Sequence, residues 1–525
     1  MQAGLFARAK PPPVNLAFVG SAARSRRLQS AAAAGWPALI TVAFGGLSAG
    51  FFAWYALLTQ GPRGSTTMEV SLVAALVVGP LAAVVLWDAY ARYFARRTDL
   101  DYGAALRWDV ASWAMLLVLW IVFVAPAGMS TLGRTAALAF GLFCLVKLLI
   151  AARFNATVRD VLVTFVVTRV SIIIIAELAT IIIGQRAGTH FEASTNPLLA
   201  VWGRWDAEHY IGIATDGYSG TETAFFPLYP LLIAGIGALT NNHLIAGLIV
   251  SNAASVFALL YLYKLVEHEF NRQVAHRSIF YVSIFPTAVF FSAVYTESLF
   301  LFLSVASFYY IRERHWVLAG IFGAFASLTR VEGVLLVVPF VIEWAIALYE
   351  TRSDWFKWPV DTVLRPLIGL CVIPLGLAAY MAYLWVLSGD PLRFSHVQAH
   401  WGRYLAPPWV SIEHAVSIIG GSYAAQTIAN QALELGFTLL MIGALVLGWR
   451  RLRVSYIAYM AVSILVPMST SSLMSMQRFA LVLFPMFVLF GLWGAKPNVN
   501  NAIVAFSMPL LGLFTVLFAN WYWVA

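Results

Sequence analysis

DVLVTFVVTRVSIIIIAELATIIIG, residues 160–184, is the segment from which the architecture follows. A helix needs about 20 apolar residues to cross the hydrocarbon core of a bilayer. This run has that length, with Arg169 and Glu177 as its interior charges. Reading outward with the same window predicts spans at 35–59, 69–91, 108–127, 135–152, 160–184, 244–266, 278–295, 298–311, 316–330, 333–349, 363–387, 430–448, 454–468, 479–495 and 501–524. The expectation is an all-α, polytopic transmembrane helical bundle of about 15 spanning helices. Composition agrees. Of 525 residues, 11% are charged and 61% hydrophobic, against roughly 25% and 45–50% in a soluble domain. So few charges cannot clothe a water-soluble enzyme, and a disordered chain needs the opposite balance.

The net charge of +9 reads as topology rather than as nucleic-acid binding. With a cytoplasmic N-terminus, inner loops collect 23 Lys/Arg and outer loops eight: Arg63, Arg134, Arg186, Arg204, Arg330, Arg393, Arg403 and Arg478. That is the positive-inside bias. It holds only if the Pro-containing run 225–240, FFPLYPLLIAGIGALT, does not span, so this run is expected to be interfacial or re-entrant. No cleavable signal peptide is expected, because Arg8, Lys10, Arg24, Arg26 and Arg27 precede a full-length apolar segment. Cys144 and Cys371 lie in apolar runs and suit the core rather than a disulfide or metal site. Two outer loops are long, 185–224 and 388–429. Three regions follow: 1–155, a module of about four helices read as scaffold; 156–497, a core carrying both long loops; and 498–525, a last helix.

Five polar clusters fall on the outer side of this topology. WGRWDAEHY, residues 202–210, places Trp202, Arg204, Trp205, Asp206, Glu208, His209 and Tyr210 together, with Asp216 following. A carboxyl beside Trp205 in a partly dry cleft suits proton abstraction, although a Trp/Tyr interfacial belt has the same composition. PTAVFFSAVYTES, 286–298, offers Tyr295 and Glu297 at a helix junction, and SLTRVEG, 327–333, offers Arg330 and Glu332. A solitary arginine can bind an anion bidentately, or can simply tie two helices through its glutamate. SGDPLRFSHVQAHWGR, 388–403, contributes Asp390, Arg393, His396, Gln398, His400 and Trp401. His396 and His400 would share a helical face for a metal, but sugar or phosphate hydrogen bonding is the more natural use of this mixture. In the last cluster, 469–485, Gln477 and Arg478 open a helix, and Arg330 and Arg478 together can clamp one phosphate. Arg169 and Glu177, eight apart, face one way inside their helix. A structural ion pair and a lipid-phosphate contact both fit them. Lys147 is expected to snorkel.

In order, WGRWDAEHY with AFFPLYP, then AVYTESLF, ASLTRVEG, SGDPLRFSHVQ and MQRFALVLFP resemble motifs of bacterial relatives of the GPI mannosyltransferase II (PIG-V-like) family, within the GT-C superfamily. The resemblance covers roughly residues 155–495. It implies a GT-C type helical bundle, a polyprenyl-phosphate-linked sugar donor, and an essential acid in the first outer loop of the core, here Asp206. Glu208 and His209 stand where that family often has an aromatic, which leaves three readings of Glu208 open: an assistant to Asp206, a metal ligand or an acceptor contact. The implied enzyme is a hexosyltransferase, a mannosyltransferase above all, in a bacterial plasma membrane with its site on the outer face. It would pass the sugar, with inversion, to a lipid or cell-envelope glycan hydroxyl. Asp206 would be the general base, Arg330 and Arg478 the donor-phosphate ligands, and Trp202, Trp205 and Trp401 sugar platforms. No cofactor is expected, a divalent metal being the less favoured alternative, and no nucleic-acid partner. A transporter or flippase of lipid-linked sugars is the competing reading. It needs charges along a midplane path, which only Arg169 and Glu177 provide. A non-catalytic scaffold is the third.

Overall fold

The computed structural model describes residues 156–183, 186, 191–350 and 362–524, which fall within one compact unit, Asn155–Ala525. The four expected spans before residue 155, and with them the whole N-terminal module, lie outside the described residues. Among the described residues regular structure is helical, apart from an isolated antiparallel bridge between Leu405 and Thr470. The principal helices are α1 (Ala156–Ile182), α2 (Ala207–Asp216), α3 (Leu228–Thr240), α4 (His243–Glu269), α5 (Arg272–Ser283), α6 (Glu297–Arg312), α7 (Trp316–Thr329), α8 (Val337–Glu350), α9 (Leu364–Ser388), α10 (Pro408–Ile419), α11 (Ala425–Gly448), α12 (Val454–Met468), α13 (Met476–Val482), α14 (Phe484–Trp493) and α15 (Pro497–Ala519).

Six helical stretches here are long and apolar enough to cross a membrane, or seven if the bent pair α13–α14 is one span. The expectation of unbroken spans at nearly every apolar run is therefore corrected in three places. The run 278–295 is not one helix. α5 stops at Ser283, and a short 3-10 turn, Ala288–Phe291, follows. Pro286 has no N–H to continue the ladder. The carbonyls stranded at the break are taken up by Arg169, whose Nη2 donates to Ser283 O (2.8 Å) and Nη1 to Ala288 O (2.7 Å). The run 479–495 bends by 69° between α13 and α14, next to Pro485. The run 501–524 is helical only to Ala519, and residues 520–524 leave the helix. The run 225–240 contains α3, whose 13 residues reach about 20 Å, short of the ~30 Å hydrocarbon core.

Glycine sets the closest helix contact. A Cβ at Gly320 would meet the Gly369 carbonyl, one at Gly376 the Ala324 carbonyl, and one at Gly323 the side chain of Ile373. Small residues let α7 and α9 approach backbone to backbone, as lipid-embedded helices do when packing rather than hydrophobicity drives association. Gly376→Ala is expected to lower the thermal midpoint of the purified protein by several degrees. Gly512→Ala, where a Cβ meets nothing within 4 Å, is expected to leave it unchanged. Equal midpoints for the two variants would contradict this account of the α7–α9 contact.

Charges gather at the two ends of the bundle. α6 has 16 residues, so its ends are about 24 Å apart. Glu297 begins it, and Arg312 ends it between Glu269 and Glu343. Glu343 also accepts from Arg453 Nε (3.2 Å) and Ser455 Oγ (2.6 Å), tying α8 to the start of α12. The candidate site forms at the other end.

Candidate functional site

The expected loops 185–224 and 388–429 are themselves built of short helices, and these bring their side chains to one place. Residues 201–203 form a 3-10 turn ahead of α2, and Asp206 is the residue at which α2 begins. Trp205 has φ 59°, a left-handed conformation that a bulky residue adopts only where its surroundings over-determine it. Those surroundings are Trp521 and Trp523, with ring centroids 5.5 and 5.3 Å from Trp205. On either side of residue 205 the backbone is fixed by Tyr295. Its hydroxyl donates to Arg204 O (3.2 Å) and accepts from the Asp206 N–H (3.2 Å). Buried Arg204 donates to Ala519 O at the end of α15 and lies against Trp521.

An alternating chain of charges follows. Arg478, buried on α13, donates from Nη1 to Asp206 Oδ2 (2.6 Å) and from Nε to Glu297 Oε1 (2.6 Å). Arg330 donates from Nη1 to the same Glu297 oxygen (3.2 Å), and its Nε lies 3.5 Å from Glu332 Oε2. Glu297 is fully buried, and its second oxygen has no partner among the described residues. An ion pair this dry is held by geometry. Tyr295 and Phe290 lie against the Arg478 guanidinium at 4.9 and 5.2 Å. Arg478 is itself placed by Glu434, a buried acid in the middle of α11. Its side-chain oxygens accept the N–H groups of Ser475 (3.1 Å) and Met476 (3.0 Å) at the start of α13.

These groups border a cavity of about 420 Å³. Of the residues expected from sequence, Asp206, His209, Tyr210, Arg330, Glu332, Gln398, Trp401 and Arg478 line it. Asp206 presents about a fifth of its side chain, and Oδ1 is not engaged by Arg478. One wall is aromatic. His209 stacks on Phe225 (4.6 Å), and Phe225 meets Trp401 edge-on (6.2 Å), joining the two long loops. The Tyr210 hydroxyl, 3.4 Å from Thr296 Oγ1, is held above its ordinary pKa by burial and remains a donor at neutral pH.

The other expected residues lie elsewhere. Trp202 is buried and donates Nε1 to Glu177 (3.2 Å). Arg204, Trp205, Tyr295 and Glu297 support the wall from behind, and Glu208 is exposed on α2. Gln477 points away from the cavity and donates to Val524 O (3.1 Å), holding residues 520–524 in place. His396 and His400 do not share one helical face, because the single α-turn Arg393–His396 gives way to a 3-10 turn, Val397–Trp401. His396 pairs with Asp390 (2.7 Å), and that hydrogen bond holds the Asp390 carboxyl below its usual range. Among the described residues no group of three or more His, Cys, Asp or Glu side chains is placed to share a metal ion. Arg169 and Glu177 do not pair: one binds carbonyls and the other Trp202.

Sequence reasoning passed over Arg403, Phe225, Phe394 and Trp523, which also line the cavity, and Glu434 behind it. Glu434 carried a signal, being a lone acid inside an apolar run. Trp523 lay in what reads as a continuation of α15.

Comparison with known proteins places residues 224–377 under the family profile of dolichyl-phosphate-mannose-protein mannosyltransferase. That stretch holds Phe225, Glu297, Arg330 and Glu332, and excludes Asp206 and Arg478. GPI mannosyltransferase 2 of two Cryptococcus neoformans var. neoformans serotype D strains is 35% identical over 145 residues, covering 25% of this chain. The chain thus spans 34% of the length of these relatives. Among solved structures, the Archaeoglobus fulgidus oligosaccharyltransferase in complex with Zn and sulfate aligns at 13% identity with a TM-score of 0.35, covering 68% of this chain and 53% of that one. The same organism's oligosaccharyltransferase AglB, in complex with an inhibitory peptide and a dolichol-phosphate, aligns at 13% identity with a TM-score of 0.33, covering 69% and 55%.

Proposed function

We propose that this protein is an integral membrane glycosyltransferase that moves mannose from a polyprenyl-phosphate donor to a hydroxyl of a lipid or cell-envelope glycan. The observation that carries this reading is the Asp206 carboxylate, fixed through one oxygen by Arg478 at the wall of an aromatic-lined cavity. The likeness to proteins named GPI mannosyltransferase 2 supports the choice of mannose.

The reaction needs two things from the protein. The acceptor oxygen must lose its proton as it attacks, and the departing phosphate must be met by positive charge. Asp206 Oδ1 takes the proton. The new bond forms between the acceptor oxygen and the anomeric carbon as the bond from that carbon to the phosphate oxygen breaks. The electron pair leaves with polyprenyl phosphate. Attack opposite the leaving group inverts the anomeric centre. Arg478 and Arg330 supply positive potential beside the reacting carbon, while Trp401 and Phe225 offer flat apolar faces to a sugar. The step as written uses no metal.

Placing this site on the outer face is part of the proposal. Support comes from Arg312, Arg314 and Arg453, which lie at the end of the bundle away from Glu297, where a cytoplasmic basic excess belongs. The competing transporter reading rested on Arg169 and Glu177, and each is engaged locally instead.

The stereochemistry tests the mechanism. With a polyprenyl-phosphate-mannose of known anomeric configuration, the product is expected to show the opposite configuration by NMR. Retention would contradict single displacement with Asp206 as base.

A further inference from the structure

Arg330 and Arg478 each donate hydrogen bonds to carboxylates. A third arginine, Arg403, does not. It lines the same cavity, yet among the described residues its guanidinium makes no hydrogen bond or ion pair, and its Nε is buried without a partner. Burial acts against its charge, as do the neighbouring Arg330 and Arg478, while Glu332 and Glu434 favour it; a guanidinium stays protonated in proteins and offers five donors. A partly buried guanidinium left unpaired is costly, unless a ligand completes it.

The backbone holds Arg403 rigidly. Gly402 is left-handed (φ 68°), and its carbonyl accepts from Ser471 Oγ (2.9 Å). Ser471 N donates to Tyr404 O (2.9 Å), and Ala406 N donates to Ser469 O (3.1 Å), on either side of the Leu405–Thr470 bridge. Beside Arg403 the cavity wall turns apolar. Leu405 is 88% exposed, Tyr404 64% and Val466 40%, with Pro467 and Met474 completing this side. Val466 belongs to α12, an apolar helix whose Leu465 is also exposed. An unpaired cation beside an open apolar rim is complementary to an anion carried on a long hydrocarbon.

We propose that Arg403 is the side chain that binds the phosphate of a lipid-linked phosphate, with the hydrocarbon leaving the cavity across Leu405, Tyr404 and Val466. This deepens the glycosyltransferase reading and rests on it for the identity of the lipid as the sugar's carrier. It assigns the direct phosphate contact to a residue other than Arg330 and Arg478, whose positive charge acts from behind their carboxylates.

The test is equilibrium binding of polyprenyl monophosphate, which carries no sugar, to the purified protein in nanodiscs. Wild-type protein is expected to bind it saturably. Arg403→Ala is expected to bind at least 10-fold more weakly with an unchanged thermal midpoint, and Arg403→Lys to recover part of the loss. Leu405→Asn, which adds no charge, is expected to weaken binding of the lipid while leaving inorganic phosphate unaffected. Wild-type affinity in Arg403→Ala would overturn the assignment. Equal competition by inorganic phosphate, or by polyprenol lacking the phosphate, would overturn the lipid-phosphate chemistry. If Arg403-dependent binding holds but no sugar is transferred, the binding site stands and the glycosyltransferase reading falls.

Discussion

Asp206→Asn is expected to lower the turnover of the proposed mannose transfer by about 100- to 10,000-fold, the range by which a positioned general base accelerates a proton transfer. The substitution keeps shape and hydrogen-bonding reach but removes the basic oxygen. Arg478 retains Glu297 at 2.6 Å, and Tyr295 still fixes the backbone N–H of residue 206, so the fold and donor affinity are expected to persist. The loss should appear in kcat, with little change in KM for the donor. A variant that matched the wild-type rate would remove Asp206 from the chemistry.

The second large effect is on stability as well as activity. Arg478→Met leaves Glu297 wholly buried beside Arg330 alone, at 3.2 Å. Breaking a buried ion pair from one side costs about 3–5 kcal/mol, because the remaining charge has lost its compensation. The thermal midpoint is expected to fall sharply and transfer to vanish. Neutralising the partner as well, in Arg478→Met with Glu297→Gln, removes the stranded charge, so stability is expected to return in large part while activity does not. A single variant as stable as wild type would contradict the account of the charge chain. Transfer by the double variant would contradict the role of Arg478 in holding Asp206.

Much of this site was visible in the sequence because scarce charges in an apolar chain are informative. Asp206, Arg330, Glu332 and Arg478 stood out as polar residues at the ends of apolar runs, and all four line one cavity. What sequence could not supply was pairing. Glu297 and Arg330 fell in separate sequence clusters, yet they share a hydrogen bond across 33 positions. Arg478 looked like a free phosphate ligand, yet it is held by two carboxylates, one of them 272 positions away.

Apolar length alone also misled. The run 278–295 satisfied the window for a span, but Pro286 breaks it and Arg169 takes the freed carbonyls. Arg169 thereby acquired a use that neither an ion pair with Glu177 nor a lipid contact describes. Trp523 continued an apolar run, and nothing local announced that the chain turns at Asn520 and lays Trp521 and Trp523 against Trp205. Glu434 stood out as a lone acid in an apolar run, but its partners, the N–H groups of a distant helix start, are set by the fold. Arg403 was lost among the loop charges, because its lack of a partner is a property of the folded site.

The most direct measurement is transfer itself. Purified protein is incubated with radiolabelled polyprenyl-phosphate-mannose and a membrane lipid extract, and the labelled product is identified by chromatography and mass spectrometry. The account predicts that label moves from the donor into a new mannosylated acceptor, and that Asp206→Asn does not make it. Absence of transfer by the wild-type protein, together with stereospecific translocation of the same lipid in proteoliposomes, would contradict the account and identify a transporter.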